Sequence, residues 1–213
     1  MKVIDLSHLI EKGMPIFPGD PEPSIESAFT HEKDSFHVNR LLMGSHTGTH
    51  IDAPYHIDPL GDPIDTIPIH RFVGMGVKVS LTGLKPETPI TTAMMSPALE
   101  QLHPGDFLII HTGWDQYFHH HDHYQQHPYL TPEAAQGIVE KQISLIAIDA
   151  LNVDPTLKEI YPAHEVFMKN DCLIVENLCG LDQVKATRGL YAFLPLKLKG
   201  ADGSPLRAVF LQP

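Results

Sequence analysis

The sequence predicts a mixed α/β domain with a mostly β centre, a mixed sheet, and helices packed around it. Short apolar runs rich in β-branched residues outnumber the stretches with helical periodicity. Nineteen prolines separate short elements, with no long linker and no internal repeat. The chain has 213 residues, of which 42% are hydrophobic, so it can bury one full core. We therefore expect residues 1–213 to form a single domain.

The predicted strands are short and apolar. The first is the run around Asp5, close to the N-terminus. Segment 190–198 is predicted as an edge strand or a bent strand, because it contains Pro195. Further strands are predicted at residues 77–81, 107–111, 145–148, 173–175 and 208–211.

One predicted helix has both a start signal and an apolar face. Residues 132–143 follow Thr131, a suitable N-cap, and carry an apolar stripe at helical spacing. Two shorter helices are predicted at residues 97–102, with Ser96 near the start, and at residues 163–169. These helices are expected to cover the central sheet.

Charge and composition argue against several classes of protein. The formal net charge is −11 and the four arginines are scattered, so we expect no nucleic-acid partner. We also expect neither a membrane span nor a signal peptide, because no long apolar run or cationic leader occurs. Cys172 and Cys179 fit neither a CxxC pair nor a disulfide framework. We expect two buried free thiols in a reducing cytoplasm.

The stretch GSHTGTHIDAPYH, residues 44–56, concentrates side chains that bind metals. It contains His46, His50, Asp52 and His56, all at even positions. Its glycines, threonines and proline argue against a helix, so we predict an extended segment. Alternate side chains of a strand point to the same side, so these four would share one face.

The spacing within this stretch predicts a bend. On a straight strand the α-carbons of His50 and Asp52 would lie roughly 6.6 Å apart, which suits two ligands of one ion. Those of His46 and His50 would lie roughly 13 Å apart, too far for metal–nitrogen bonds of about 2.0–2.1 Å. We therefore expect a bulge or kink at Gly48. His56 lies further along the chain and is predicted as a general base or acid.

A second stretch, residues 161–179, adds two candidate ligands. Glu176 ends an apolar run, and a buried carboxylate needs a partner such as a metal ion. His164 precedes it by twelve residues, near the start of a predicted short helix. If two ions share one carboxylate, these residues and the first cluster would form a two-metal site that holds an activated water.

Other interpretations of the histidines remain open at this level. The cluster could be an exposed histidine-rich loop, a structural zinc site or part of the metal site of a mononuclear Fe(II) oxygenase. A run at residues 118–127 contains five further histidines and is expected to be an exposed loop, with a lid and an adventitious metal site as alternatives. In a non-enzymatic metal-binding protein, this run would bind the metal. These five histidines are His119, His120, His121, His123 and His127, and the metal-binding element would be residues 119–123.

Asp149 also has two open interpretations. It ends a predicted strand, so its side chain could face the pocket or cap the following turn. Composition does not decide between them.

Residues 46–56 fit the pattern HxGTHxDxPxH, with Thr47 at the first variable position. This resembles the signature of the cyclase family of metal-dependent hydrolases, which includes bacterial arylformamidases. The resemblance extends to IDLSHLI, MPIFPGDP, HTGW, IDALNVD and the closing GADGSPLRAV, and so covers nearly the whole chain. The pattern in residues 46–56 is highly specific, whereas the other stretches are individually weak.

The resemblance implies a swivelling β/β/α domain and a homo-oligomer, either a dimer or a larger assembly such as a tetramer. It implies two divalent metal ions per chain, usually zinc and sometimes manganese. His46, His50 and Asp52 would bind one ion, Asp52 would bridge to the second, and His56 would be the catalytic histidine. The ligands that complete the second site would be His164 and Glu176.

The implied reaction is hydrolysis of a carbon–nitrogen bond in a small amide, with an N-formyl aryl amine such as N-formylkynurenine as the first candidate. A cyclic amide of the isatin type is the alternative within the family. Similar arylformamidases tend to carry Trp before the PGD sequence, where this chain has Phe17. Phe17 can still stack on an aromatic substrate, but its ring is smaller and lacks the indole N–H.

Overall fold

A mixed eight-stranded sheet forms the centre of the computed structural model, which describes residues 2–158 and 160–212. The described residues form twelve strands: β1 (Lys2–Asp5), β2 (Ser24–Phe29), β3 (Val38–Leu42), β4 (His50–Asp52), β5 (Val73–Ser80), β6 (Pro89–Ile90), β7 (Phe107–His111), β8 (Tyr129–Leu130), β9 (Leu145–Ile148), β10 (Leu173–Glu176), β11 (Arg188–Pro195) and β12 (Gly203–Gln212). The helices are α1 (His31–Asp34), α2 (Thr92–Leu99), α3 (His121–Tyr124), α4 (Pro132–Val139) and α5 (Pro162–Lys169).

The central sheet closes on itself like a barrel. Its strand order is β1-β12-β11-β5-β7-β9-β10-β4, and β12 pairs with β4 as well. Strands β5, β7, β9 and β10 run parallel to one another, whereas the remaining pairs are antiparallel. The first residues of β12 pair with β4 and its last residues pair with β1 along the same edge. The short strand β4 is therefore held between β10 and β12.

Alternation along the strands divides the apolar residues into two cores. In β7, Phe107 and Ile109 belong to the core inside the closed sheet, with Tyr191 and Phe210. Leu108 and Ile110 belong to the second core, between the sheet and the helices. A mixed α/β domain with a barrel-like sheet and few helices follows from this arrangement.

The strand predictions are confirmed, although several bounds shift. The first four residues of β5 fall outside the predicted range because Gly74 and Gly76 interrupt its apolar pattern. A β-carbon at Gly74 would lie 2.8 Å from the Phe107 ring, and one at Gly76 would lie 2.8 Å from the Tyr191 ring. The two glycines therefore make room for core aromatic rings. Strand β11 is not an edge strand, since it pairs with β5 and β12, and Pro195 is its last residue.

Two helix predictions need correction. The short helix predicted at 97–102 is α2, which begins at Thr92 and contains Pro97 in its interior. Its buried residues pack against α4, so tertiary contacts override the usual preference of proline for a first turn. Helix α4 starts after Thr131 as predicted, and the Thr131 side chain accepts a hydrogen bond from Ala134 N. It ends at Val139, before Gln142 adopts a left-handed φ of 57°.

The hairpin of β2 and β3 forms a separate two-stranded sheet. Nearly all of its residues are exposed, including large apolar side chains. Elsewhere, Cys172 is buried as expected, whereas Cys179 is only partly buried, and both are free thiols. No helix in residues 2–158 or 160–212 is long and apolar enough to cross a membrane.

Candidate metal centre

Segment 44–56 is less regular than predicted. Only His50–Asp52 form a strand, while Pro54–His56 form a 3-10 turn and residues 45–46 lie in a turn. The predicted bend is present, because Gly48 adopts φ 65°. This left-handed residue turns the chain back, so the His46 ring lies beside the strand, with its centroid 5.1 Å from that of His50. A single extended face does not exist, but the side chains still converge.

The second ligand segment, which contains His164 and Glu176, is brought to the first by the pairing of β10 with β4 and by the carboxylate of Asp154. Glu176 on β10 lies directly opposite His50 on β4. His164 is in the first turn of α5, and Asp154 fixes it there. The Asp154 carboxylate accepts hydrogen bonds from Ala163 N at 2.8 Å, His164 N at 2.9 Å and His164 Nδ1 at 2.8 Å. Asp154 therefore caps the helix and orients the imidazole in one arrangement.

Asp52 stands between two groups of donor atoms. Its Oδ1 lies 2.7 Å from His46 Nδ1 and 3.2 Å from His50 Nε2. Its Oδ2 lies 3.5 Å from His164 Nε2, which is 3.6 Å from Glu176 Oε1. In each group the donor atoms lie within 4.8 Å of one another. One carboxylate thus faces both groups, with a different oxygen toward each.

The donor set fits divalent cations. Asp52 Oδ2 is a buried oxygen without a hydrogen-bond partner among the described residues, which is costly unless something positive binds there. Imidazole nitrogens and carboxylate oxygens are the ligands that zinc and similar ions take in catalytic sites. The five residues predicted as ligands are therefore brought together, and their coordination of metal stays a prediction.

The ring nitrogens that point away from Asp52 and Glu176 have acceptors of their own. His50 Nδ1 donates to Gly48 O at 2.8 Å, and His164 Nδ1 donates to Asp154. His46 Nε2 lies 3.0 Å from Asp202 Oδ2. Such partners fix the tautomer, because a nitrogen that donates a proton leaves the other nitrogen as a free ligand. Asp154 and Asp202 were not identified as site residues from the sequence.

The carboxylates dominate the electrostatics of the site. Burial by itself would lower the pKa of His164, but the hydrogen bond to Asp154 and the nearby charges of Asp52 and Glu176 outweigh it and raise the pKa to about 10. Burial would likewise lower the pKa of His46, yet the Asp52 and Asp202 carboxylates raise it to about 10. Burial and the nearby Asp52 charge raise the pKa of Glu176 to about 7. The pocket therefore favours positive charge, as a metal-binding site should.

His56 lies at the edge of the two groups of donor atoms. Its ring centroid is 4.1 Å from that of His46 and 5.9 Å from that of His164. Its Nδ1 lies 3.4 Å from Asp202 Oδ2, and burial lowers the pKa of its imidazole. A neutral imidazole at the edge of a substrate-sized cavity can accept and return a proton. Its predicted role as a general base or acid is untested.

A cavity of about 290 Å³ opens over these residues. Phe17 and Tyr161 form an aromatic part of its wall, with ring centroids 6.3 Å apart and planes tilted by 54°. Ile57 and Leu151 add apolar surface, and Asp20 adds a carboxylate. Apolar walls around a few polar groups are typical of a small-molecule site. Tyr161 and Asp20 were not predicted as site residues.

Two further features of the sequence lie outside the cavity. Asp149 neither faces it nor caps the next turn, because its carboxylate accepts hydrogen bonds from Thr112 N, Thr112 Oγ1 and Gly113 N. It therefore stabilises a turn after the neighbouring strand β7. The expectation of an exposed loop at residues 118–127 holds only in part, because residues 119–122 are exposed whereas Phe118, Tyr124 and His127 are buried. His123 is half-buried and stacks on Trp114 with ring centroids 5.1 Å apart. No histidine of this run belongs to a group of candidate metal ligands among the described residues.

Comparison with known proteins identifies a matching family and relatives of this chain. Residues 4–155 match the family model described as putative cyclase. The kynurenine formamidase of Geobacillus thermodenitrificans (strain NG80-2) is 32% identical over 206 residues, which covers 96% of this chain and 95% of the relative.

Two solved structures have the same fold. A potential metal-dependent hydrolase with cyclase activity superposes with a TM-score of 0.82 at 30% identity, covering 100% of this chain and 99% of that one. An isatin hydrolase bound to the product analogue thioisatinate gives a TM-score of 0.91 at 22% identity, covering 100% and 92%. At 22% identity, the similarity to the isatin hydrolase shows a shared fold and nothing more.

Proposed function

The chain belongs to the cyclase family, and we propose from this membership and from the site that it is a metal-dependent hydrolase of carbon–nitrogen bonds other than peptide bonds. The proposed substrate is an N-formyl aryl amine such as N-formylkynurenine. The kynurenine formamidases that match nearly the whole chain support this substrate class. The observation that carries the proposal is the Asp52 carboxylate, which faces two groups of donors inside one cavity that also contains His56.

His46, His50 and Asp52 would hold one divalent cation, and Asp52, His164 and Glu176 would hold a second. Zinc is proposed, with manganese as the other candidate. When bound, such ions supply Lewis-acid polarisation of the formyl oxygen and lower the pKa of water. Both the number of ions, two per chain, and their identity are proposed.

The remaining side chains handle the substrate and the proton. His56 would take a proton from the attacking water and return one to the leaving amine. Its depressed pKa leaves the ring neutral near pH 7, as a proton acceptor must be. Phe17 and Tyr161 would contact the aryl ring at the wall of the cavity. The small ring of Phe17 is also the reason to test a cyclic amide of the isatin type.

The assembly is proposed to be a homo-oligomer, a dimer or a tetramer. The hairpin of β2 and β3 supports this, because its large apolar side chains are exposed and belong to neither core. A two-stranded hairpin of this kind is only marginally stable by itself. A swivelling β/β/α description of the domain and a cytoplasmic location stay predictions as well.

The deciding experiment combines metal analysis with turnover. The full chain, loaded with zinc or with manganese, is assayed for conversion of N-formylkynurenine to kynurenine by absorbance, and isatin is tested in parallel. Metal content is measured on the same samples, with Asp52→Ala as the control. We expect about two ions per chain and fast turnover of N-formylkynurenine, both strongly reduced in Asp52→Ala.

The other outcomes separate the parts of the proposal. Two ions with turnover of isatin alone would keep the hydrolase and overturn the substrate, and Phe17 would then be the first position to change. Two ions with no turnover of either amide would also overturn the substrate class. A folded protein that binds no divalent metal would overturn the proposed function itself.

A further inference from the structure

The carboxylate of Asp202 lies between the histidine proposed as the base and one proposed metal ligand. Its Oδ2 is 3.4 Å from His56 Nδ1 and 3.0 Å from His46 Nε2. Resting on the proposed function, we propose that Asp202 is a positioning residue. It fixes the His56 ring at a set distance from the metal ligands by holding His56 and His46 through one oxygen.

The His56 ring depends on this contact. Asp202 is its one hydrogen-bond partner among the described residues. The side chain of His56 is 30% exposed, so packing holds this ring less firmly than a fully buried one. The bond occupies Nδ1 and leaves Nε2 available for proton exchange. A ring held in one tautomer and one orientation is what a general base requires.

Asp202 itself is fixed from several directions. Its other oxygen, Oδ1, accepts a hydrogen bond from Ser45 Oγ at 2.8 Å. Its backbone carbonyl accepts a hydrogen bond from Ala53 N at 2.9 Å. The next residue, Gly203, pairs with Asp52 in the β4–β12 ladder. The carboxylate is therefore attached to the same strand pair that carries the proposed ligands.

Gly203 explains how the His46 ring comes within reach. A β-carbon at this position would lie 2.9 Å from His46 Cε1 and 2.7 Å from Ile51 O. The missing side chain lets the imidazole lie against the backbone of β12, directly beside Asp202. The positioning of His46 and that of His56 thus share one short segment, residues 200–203, at the start of β12.

A role for Asp202 as a metal ligand is the competing possibility, because it forms a third group of donors with His46 and His56. The ring nitrogens argue against it. His46 Nδ1 faces Asp52, which leaves Nε2–H to donate a hydrogen bond to Asp202. A carboxylate that accepts hydrogen bonds from two imidazoles acts on their orientation, and ion counting can distinguish this role from ligation.

The test uses the full, zinc-loaded chain and the variants Asp202→Ala and Asp202→Asn, with Asp65→Ala as the matched control. Asp65 supports the same segment by accepting a hydrogen bond from Gly200 N at 2.8 Å, but it contacts neither histidine. The measurements are kcat and KM for N-formylkynurenine, ions per chain, and the tautomer of His56 by nitrogen-15 NMR.

We expect Asp202→Ala to lower kcat about 10–100-fold, the range seen when a partner of this type is removed, with KM changed by less than about 3-fold. The ion count should stay at the wild-type value. The His56 ring should lose its Nδ1–H tautomer. Asp202→Asn retains an oxygen acceptor and should recover most of the loss, whereas Asp65→Ala should leave the tautomer unchanged.

A double variant isolates the route through His56. In a His56→Ala background, Asp202→Ala should lower kcat by less than about 3-fold, since the group to be positioned is gone. An undiminished loss in that background, an unchanged His56 tautomer in Asp202→Ala, or the loss of one ion would each overturn the positioning role. The NMR readout needs no turnover, so it decides this role even if the proposed substrate is wrong.

Discussion

His127 and His164 are both buried, yet their neighbours shift the two pKa values in opposite directions. Burial lowers the pKa of His127 to about 4, and its ring nitrogens contact only the neutral oxygens Pro128 O at 2.9 Å and Thr156 Oγ1 at 2.8 Å. Around His164 the carboxylates outweigh burial and raise the pKa. The charge state of a buried imidazole thus follows from its hydrogen-bond partners.

His127 predicts a loss of stability in mild acid. Its folded-state pKa of about 4 lies below the ordinary value of 6.5, so the folded state binds its proton less readily than the unfolded state does. The stabilising contribution is complete above about pH 6.5 and is lost as the pH falls toward 4. Between pH 7 and pH 5 this amounts to about 2 kcal/mol of unfolding free energy.

Urea unfolding of wild type and His127→Gln at both pH values measures this contribution. The variant should be less stable at pH 7, because it loses buried hydrogen bonds. Its drop in unfolding free energy on going to pH 5 should nevertheless be smaller than that of wild type by about 2 kcal/mol. Equal drops in the two proteins would show that His127 does not govern this pH range.

At the scale of elements, the bend before β4 brings the His46 and His50 side chains close together. Gly48 has φ 65°, and a β-carbon there would lie 3.1 Å from Met14 Cε and 3.4 Å from Ile10 Cγ1. Alanine would therefore strain the backbone and press on a buried methionine at the same time. His46 precedes the bend in the chain and His50 comes after it.

Gly48→Ala is expected to weaken zinc binding about tenfold or more and to lower the unfolding free energy by about 1–2 kcal/mol. Gly83→Ala is the matched control, since Gly83 has φ 81° with nothing within 4 Å of the added β-carbon. Chelator competition measures affinity, and denaturant unfolding measures stability. If both variants lose the same stability and Gly48→Ala keeps its zinc affinity, the bend does not position the ligands.

At the scale of the whole molecule, the β2–β3 hairpin contributes no residue to either hydrophobic core. Leu41 and Leu42 are 58% and 63% exposed, on opposite sides of β3. Phe29 and Phe36 are also exposed, with ring centroids 5.3 Å apart. Apolar surface on an extended hairpin is characteristic of a region that becomes covered on assembly.

The double variant Leu41→Ser/Leu42→Ser is expected to shift the protein from an oligomer toward a monomer. If each leucine contributes about 2 kcal/mol at the centre of the interface, their removal raises the dissociation constant about a thousandfold. Sedimentation velocity over a range of concentrations measures the shift. Leu60→Ser is the control, because Leu60 is 93% exposed and lies outside the hairpin. A monomeric wild-type protein at high concentration would contradict the proposed oligomer.

Much of the fold was predictable where local chemistry is unambiguous. The predicted strands at 107–111 and 145–148 agree with β7 and β9, because they are continuous apolar runs in a buried parallel sheet. The start of α4 was predictable from Thr131 for the same reason. Helix α2 was misplaced, since its position depends on packing against α4, and packing leaves no mark on local spacing.

The amino-acid sequence by itself determined the ligand-type residues of the 44–56 stretch, the bend at Gly48 and the family. These follow from residue chemistry and from distances along a few bonded residues. Only the tertiary structure decided that Asp154 and Asp202 support His164 and His46. Asp202 is 156 residues from His46 in the chain and meets it because β12 pairs with β4 when the sheet closes. That closure depends on the packing of the whole inner core, which no single segment encodes.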